Sequence, residues 1–156
     1  MSARHVIEEA NRPRQYICSR KDIFGTWGLV IRGRWLPLQF VQNGPSLWSF
    51  VLSAPYTNAY VAIGFSPSGR MPGSSAVVGW SGSDGALVIK RYYLGDTNPS
   101  QVYPDQGELP IVPNSSAIKL QSSRLYIAFQ LNTTQPPSRV LYSFGRGTYF
   151  PRRIIA

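Results

Sequence analysis

Hydrolytic chemistry by a nucleophile and a proton shuttle needs a histidine beside a serine or cysteine. This chain of 156 residues has one histidine, His5, in a polar N-terminal segment. It has one cysteine, Cys18, so an internal disulfide and a Cys/His metal cluster are both excluded. No C-x-x-C-H run exists to attach a haem covalently. Paired carboxylates are the remaining acid–base device, and Asp105 and Glu108 are the obvious pair. They flank Gly107 in one predicted turn, where an aspartate more often closes the local backbone. Gly69 and Gly73 have the spacing of neither a phosphate loop nor its Lys-Ser/Thr continuation. The residue types therefore point away from an enzyme.

One residue stands apart. Met71 lies in a loop rich in Gly, Pro and Ser, between two apolar runs. A methionine in that setting can offer its thioether to a soft metal such as haem iron. Spacing alone equally accommodates an incidental or gap-filling methionine, which is the commoner case. Asn114-Ser115-Ser116 and Asn132-Thr133-Thr134 are glycosylation sequons at predicted turns, making Asn114 and Asn132 glycan candidates.

The formal net charge is +9, yet the arginines are dispersed and no Lys/Arg run exceeds two residues. No RNA-recognition, zinc-finger or helix-turn-helix signature accompanies the charge, so nucleic acid is not an expected partner. No stretch of apolar residues is long enough to span a bilayer, and the N-terminus has no apolar core of a signal peptide.

The elements that must position these residues read as strands. Apolar residues make up 43% of the chain and charged residues only 15%, with 14 Gly and 13 Pro, a composition suited to short strands and turns. Residues 1–40 read as an irregular extension, with a possible short helix over 4–14 and an unperiodic stretch around Trp27 and Trp35. From residue 46 strands are predicted over 47–54, 60–65, 75–80, 86–93, 125–131 and 139–144. Asp84-Gly85 is a hairpin signal, and residues 94–116 read mostly as loop. Leu125, Ile127, Phe129 and Leu131 alternate onto one face. The fold class is all-β, an antiparallel sandwich or barrel. The organisation expected is an extension over 1–40, a β-sandwich over 41–150 and a tail over 151–156.

Tyr60-Val-Ala-Ile-Gly-Phe-Ser, Met71-x-Gly73-Ser74-Ser75-Ala76-Val-Val-Gly79-Trp80, Tyr92-Tyr93-Leu94 and Val102-x-Pro104-Asp105-Gln106-Gly107-Glu108-Leu109 form a run of blocks continued by Leu125–Leu131 and Val140–Gly145. Over residues 46–147 this pattern resembles the plant proteins that join a DOMON domain to a cytochrome b561/ferric-reductase transmembrane unit. The resemblance implies an immunoglobulin-like β-sandwich that holds a b-type haem noncovalently, with Met71 as an axial ligand. Phe65, Gly73, Ser74 and Trp80 would wall the haem edge. The implied role is electron transfer at the extracellular, apoplastic face of a membrane, between extracellular partners and a transmembrane cytochrome b561 unit or other redox partner fed by ascorbate-linked donors.

The sequence departs from that pattern in one respect. The family places a second, histidine ligand beyond the strand matching Val140–Gly145, and no histidine follows here. The expectation is a truncated module, with its last strand and transmembrane part missing and its haem binding impaired. A carbohydrate- or cell-wall-binding module is the alternative, because Trp and Tyr stack on sugar faces.

Overall fold

β-Branched and aromatic residues dominate the apolar runs of this chain, and they fit a pleated, half-buried surface better than a helix. A computed structural model describes the backbone of residues 6–9, 12–17, 19–21, 27–31, 34–55, 59–136 and 139–146, and side chains over 38–55, 60–98, 100–136 and 139–143. The strands are β1 (Val6–Glu9), β2 (Arg12–Ile17), β3 (Ser19–Lys21), β4 (Trp27–Ile31), β5 (Arg34–Gly44), β6 (Leu47–Pro55) and β7 (Ala59–Phe65). They continue as β8 (Ser74–Ser81), β9 (Leu87–Leu94), β10 (Val102–Pro104), β11 (Ala117–Gln121), β12 (Arg124–Asn132) and β13 (Val140–Arg146). A single 3₁₀ turn, Pro99–Gln101, leads into β10.

Two antiparallel sheets face each other. The five-stranded front sheet runs β10-β9-β8-β7-β13, and the six-stranded back sheet runs β11-β12-β6-β5-β4-β3. β1 and β2 pair separately as a ribbon, and β1 passes close to β13 at the end of the front sheet. The expected helix over 4–14 gives way to these strands, whose Val6, Ile7, Tyr16 and Ile17 have β-forming side-chain types. β5 starts at Arg34 and pairs with β6 from Leu38 to Gly44, so strand pairing runs through the position where the irregular extension was expected to end. The short β10 and the exposed β11 also emerge from stretches that carried no strand pattern.

The core fills the space between the sheets. Leu125, Ile127, Phe129 and Leu131 are all buried, as their alternation required. Phe40, Phe50 and Phe129 are cross-strand partners on β5, β6 and β12 and form a row of stacked rings, with centroids 5.7 and 5.3 Å apart. Phe65 descends from the front sheet and meets Phe50 edge-on at 5.2 Å and 83°. Offset and edge-to-face contacts of this kind add to the gain from area burial. Gly79 has no side chain because none fits: a Cβ there would lie 2.3 Å from Ile127 Cγ2 of the opposite sheet. That close approach lets β8 sit deep against β12.

Candidate functional site: the outer side of the front sheet

Side chains alternate along a strand, so β8 sends Val77 into the sandwich and Ala76, Val78 and Trp80 to the outer side. All of these are buried. β8 is therefore apolar on both faces, which is why its sequence reads as a continuous apolar run rather than an alternating one. The register places Tyr92 beside Ala76, Val88 beside Trp80 and Leu94 beside Ser74, while Val102 of β10 stands next to Leu94. Tyr60 and Ala62 of β7 complete a second apolar cluster, separate from the inter-sheet core.

Met71 packs against this second cluster, half-buried. Its loop is held by a compact set of hydrogen bonds. The carbonyl of Arg70, immediately before it, accepts two hydroxyls, from Ser66 Oγ at 2.7 Å and Ser74 Oγ at 2.7 Å. Ser66 Oγ in turn accepts the amide of Gly69 at 2.8 Å. The Ser74 amide donates to the Met71 carbonyl at 3.1 Å, closing a turn with Pro72 and Gly73 at its centre. Gly73 has φ +82°, the left-handed conformation that the third position of a type II turn requires. Its amide donates to the Leu94 carbonyl at 2.8 Å, tying the turn to β9. Both ends of the methionine's peptide are thus pinned to the edge of the sheet.

The aromatic groups of the same cluster are anchored too. Trp80 and Tyr92 lie with ring centroids 6.5 Å apart and a 49° tilt. Tyr60 Oη and Ser143 Oγ are 2.9 Å apart, linking β7 to β13. Burial, with the charge of Asp105 as a lesser cause, holds the Tyr92 phenol far above its ordinary range.

Of the sequence-derived site residues, Met71, Gly73, Ser74 and Trp80 lie on this side, Gly73 and Ser74 at the Met71 turn and Trp80 six residues further along β8. Phe65 does not: it faces the inter-sheet core with Phe50 and Phe129, on the opposite side of β7. Asn114 is exposed in a turn and Asn132 is exposed at the last position of β12, both outside this cluster. Sequence reasoning missed Ser66, Tyr60, Val78, Val88, Tyr92, Leu94 and Val102. The signal for most of them was the two-sided apolar run of β8, and Met71-Pro72-Gly73-Ser74 spelled the type II turn.

A thioether at the rim of an apolar, aromatic sheet face matches what one side of a porphyrin requires: a soft ligand and a greasy wall. Among the described residues no cluster of His, Cys, Asp and Glu is arranged to hold a metal ion, and His5 lies outside them. By residue type, Met71 and the apolar groups it packs on are the kinds that line one side of a haem.

Two Arabidopsis thaliana proteins named "cytochrome b561 and DOMON domain-containing protein" align with the chain. One is 45% identical over 133 residues, 82% of this chain and 36% of its own length. The other is 38% identical over 119 residues, 75% of this chain and 29% of its own length. The chain is homologous to these plant DOMON-containing cytochromes. It spans about a third of the length of the curated relatives it matches. No family model matches it, and no solved structure matches it to significance. Among the described residues no helix is long and apolar enough to cross a membrane.

Proposed function

We propose that this chain is the DOMON part of such a protein, a b-type haem-binding module that passes electrons at the extracytoplasmic face of a membrane. The single observation that carries the reading is the position of Met71, pinned at the edge of an apolar aromatic face that does not belong to the sandwich core. Bound haem would supply one-electron chemistry. The chain's own residues would do the rest. Met71 Sδ would donate to the iron on one side, and Trp80, Val78 and Ser74 would wall the ring edge with Gly73 leaving room beside the sulfur. Phe65 would act only from behind the sheet, by fixing the position of β7. The transmembrane cytochrome b561 unit of the relatives is the proposed redox partner, with ascorbate-linked donors as the electron source.

A thioether is a poor sole anchor for ferric haem. The chain as given is therefore expected to bind haem more loosely than a bis-ligated module would. The test is a haem titration of the purified protein, followed by absorption in the reduced state with and without added imidazole as a nitrogen ligand. A low-spin spectrum that imidazole strengthens and Met71→Leu abolishes supports the reading. No spectral change at micromolar haem, with or without imidazole, overturns it.

A carbohydrate-binding module is the second reading. It rests on Tyr93 and Tyr103, half-buried rings stacked 6.4 Å apart at 16°. Flat titrations against plant wall polysaccharides would remove it.

A further inference from the structure

A cavity of about 230 Å³ opens on the flank of the sandwich, away from Met71. Val77, Ile89 and Ile111 form its apolar back, and Lys90, Arg91, Asp105 and Ser116 supply its polar lining. It exists because β10 is short. β10 pairs with β9 only from Tyr92 to Leu94, and the chain then turns away at Asp105, whose amide still donates to the Arg91 carbonyl at 2.8 Å. Residues 87–90 of β9 are left without a strand partner on that side among the described residues.

The charges in the cavity do not cancel. Lys90 Nζ meets Asp105 Oδ2 at 3.5 Å, which accounts for one cation. Arg91 has no carboxylate within ion-pair distance among the described residues, and its described hydrogen bond is a long one, Nη1 to the Leu109 carbonyl at 3.4 Å. A guanidinium presents five donors in a planar fork that matches a carboxylate, so most of its capacity is open. With Lys90 and Asp105 offset, the pocket carries one net positive charge. Asp105 and the Ser116 hydroxyl can serve hydroxyl groups, and the apolar back can take a C–H face.

We propose that this flank cavity binds a small hydroxylated monocarboxylate, a molecule of sugar-acid size and chemistry, with its carboxylate on Arg91 and its hydroxyls toward Asp105 and Ser116. The charge balance selects a monoanion over a neutral polyol, and Asp105 disfavours a dianion. The site is independent of the haem reading, since it shares no residue with the Met71 face.

The experiment is a chemical-shift titration of the full chain with D-glucuronate, with D-glucose as the neutral isostere and sulfate as the dianion. Saturable shifts confined to Ile89–Arg91, Asp105 and Ile111–Ser116 are expected for glucuronate alone. Arg91→Gln should weaken binding about tenfold or more, the loss of a charge-assisted bidentate contact. Asp105→Asn keeps a residue tolerant of its left-handed φ of 59° and frees Lys90, so glucuronate should bind about threefold or more tighter. The Asp105 variant tests the idea even if the Arg91 variant fails to fold. Equal binding of glucose and glucuronate, preference for sulfate, or no saturation at tens of millimolar would each overturn it.

Discussion

The two faces of the front sheet are both apolar, yet they are built differently. The inner face carries Val61, Ile63, Phe65, Val77 and Val140, which interlock with the back sheet in a mostly hydrocarbon layer that also holds the Tyr142 hydroxyl, a donor to the Ser53 carbonyl at 3.3 Å, and the buried indole N–H of Trp48. The outer face carries Tyr60, Trp80, Tyr92 and Met71, groups with a polar or polarisable handle, set among small residues such as Ala62 and Ala76. The inner face is what closes the sandwich. The outer face belongs to the smaller cluster and does not join the sheets, and its loop is held by the two hydroxyls on the Arg70 carbonyl.

That contrast can be broken from the inside first. Phe50→Ala removes the central ring of the stacked row and should cost about 3–5 kcal/mol of unfolding free energy by denaturant titration. Gly79→Ala drives a methyl into Ile127 and should cost about 1–3 kcal/mol or more. Adding Ile127→Ala to the Gly79 variant should give a loss smaller than the sum of the single losses, because the second change clears the clash. Simple additivity would show that the sheets do not meet where these side chains place them.

The outer face should respond more mildly and more locally. Ser74→Ala deletes one of the two hydroxyls on the Arg70 carbonyl and should cost about 1 kcal/mol, with faster amide exchange confined to residues 69–74. A global unfolding response would place this loop inside the main cooperative core instead. The smallest effect at neutral pH belongs to Tyr92. Its phenol keeps its proton to higher pH when folded than when unfolded, so its contribution is whole below its ordinary pKa of 10.0 and falls as pH rises beyond that. Tyr92→Phe should flatten the alkaline decline in stability while leaving the protein at pH 7 nearly unchanged. An unaltered alkaline slope would show that other groups dominate it.

Much of the scaffold was legible before any coordinates. The strands from Leu47 to Phe144 appear within a residue or two of their predicted ends, because alternation and turn signals agreed there. β12 was the clearest case and β8 the most instructive. Its unbroken apolar run marked a strand correctly but concealed that two different clusters were being served. β11 carried no strand prediction, since only Ile118 of its five residues packs against the core. The candidate site was half legible. Met71 stood out by type and position, and Trp80 followed it onto the same side. Phe65 was assigned by nearness in sequence, and the two-residue period of a strand sent it through to the other face. The cavity at Arg91 had no sequence signature, because it depends on where β10 stops.

The Arg70 carbonyl has a consequence for how this surface can change over evolutionary time. One oxygen is shared by serines eight positions apart, so neither can drift without loosening the other's partner. A threonine is the natural exchange at either place, while the residues between them, Pro67, Ser68 and Met71 included, are spared that constraint. The perch would then outlast its occupant: a lineage that abandoned the sulfur would be expected to keep the hydroxyl clasp beneath it.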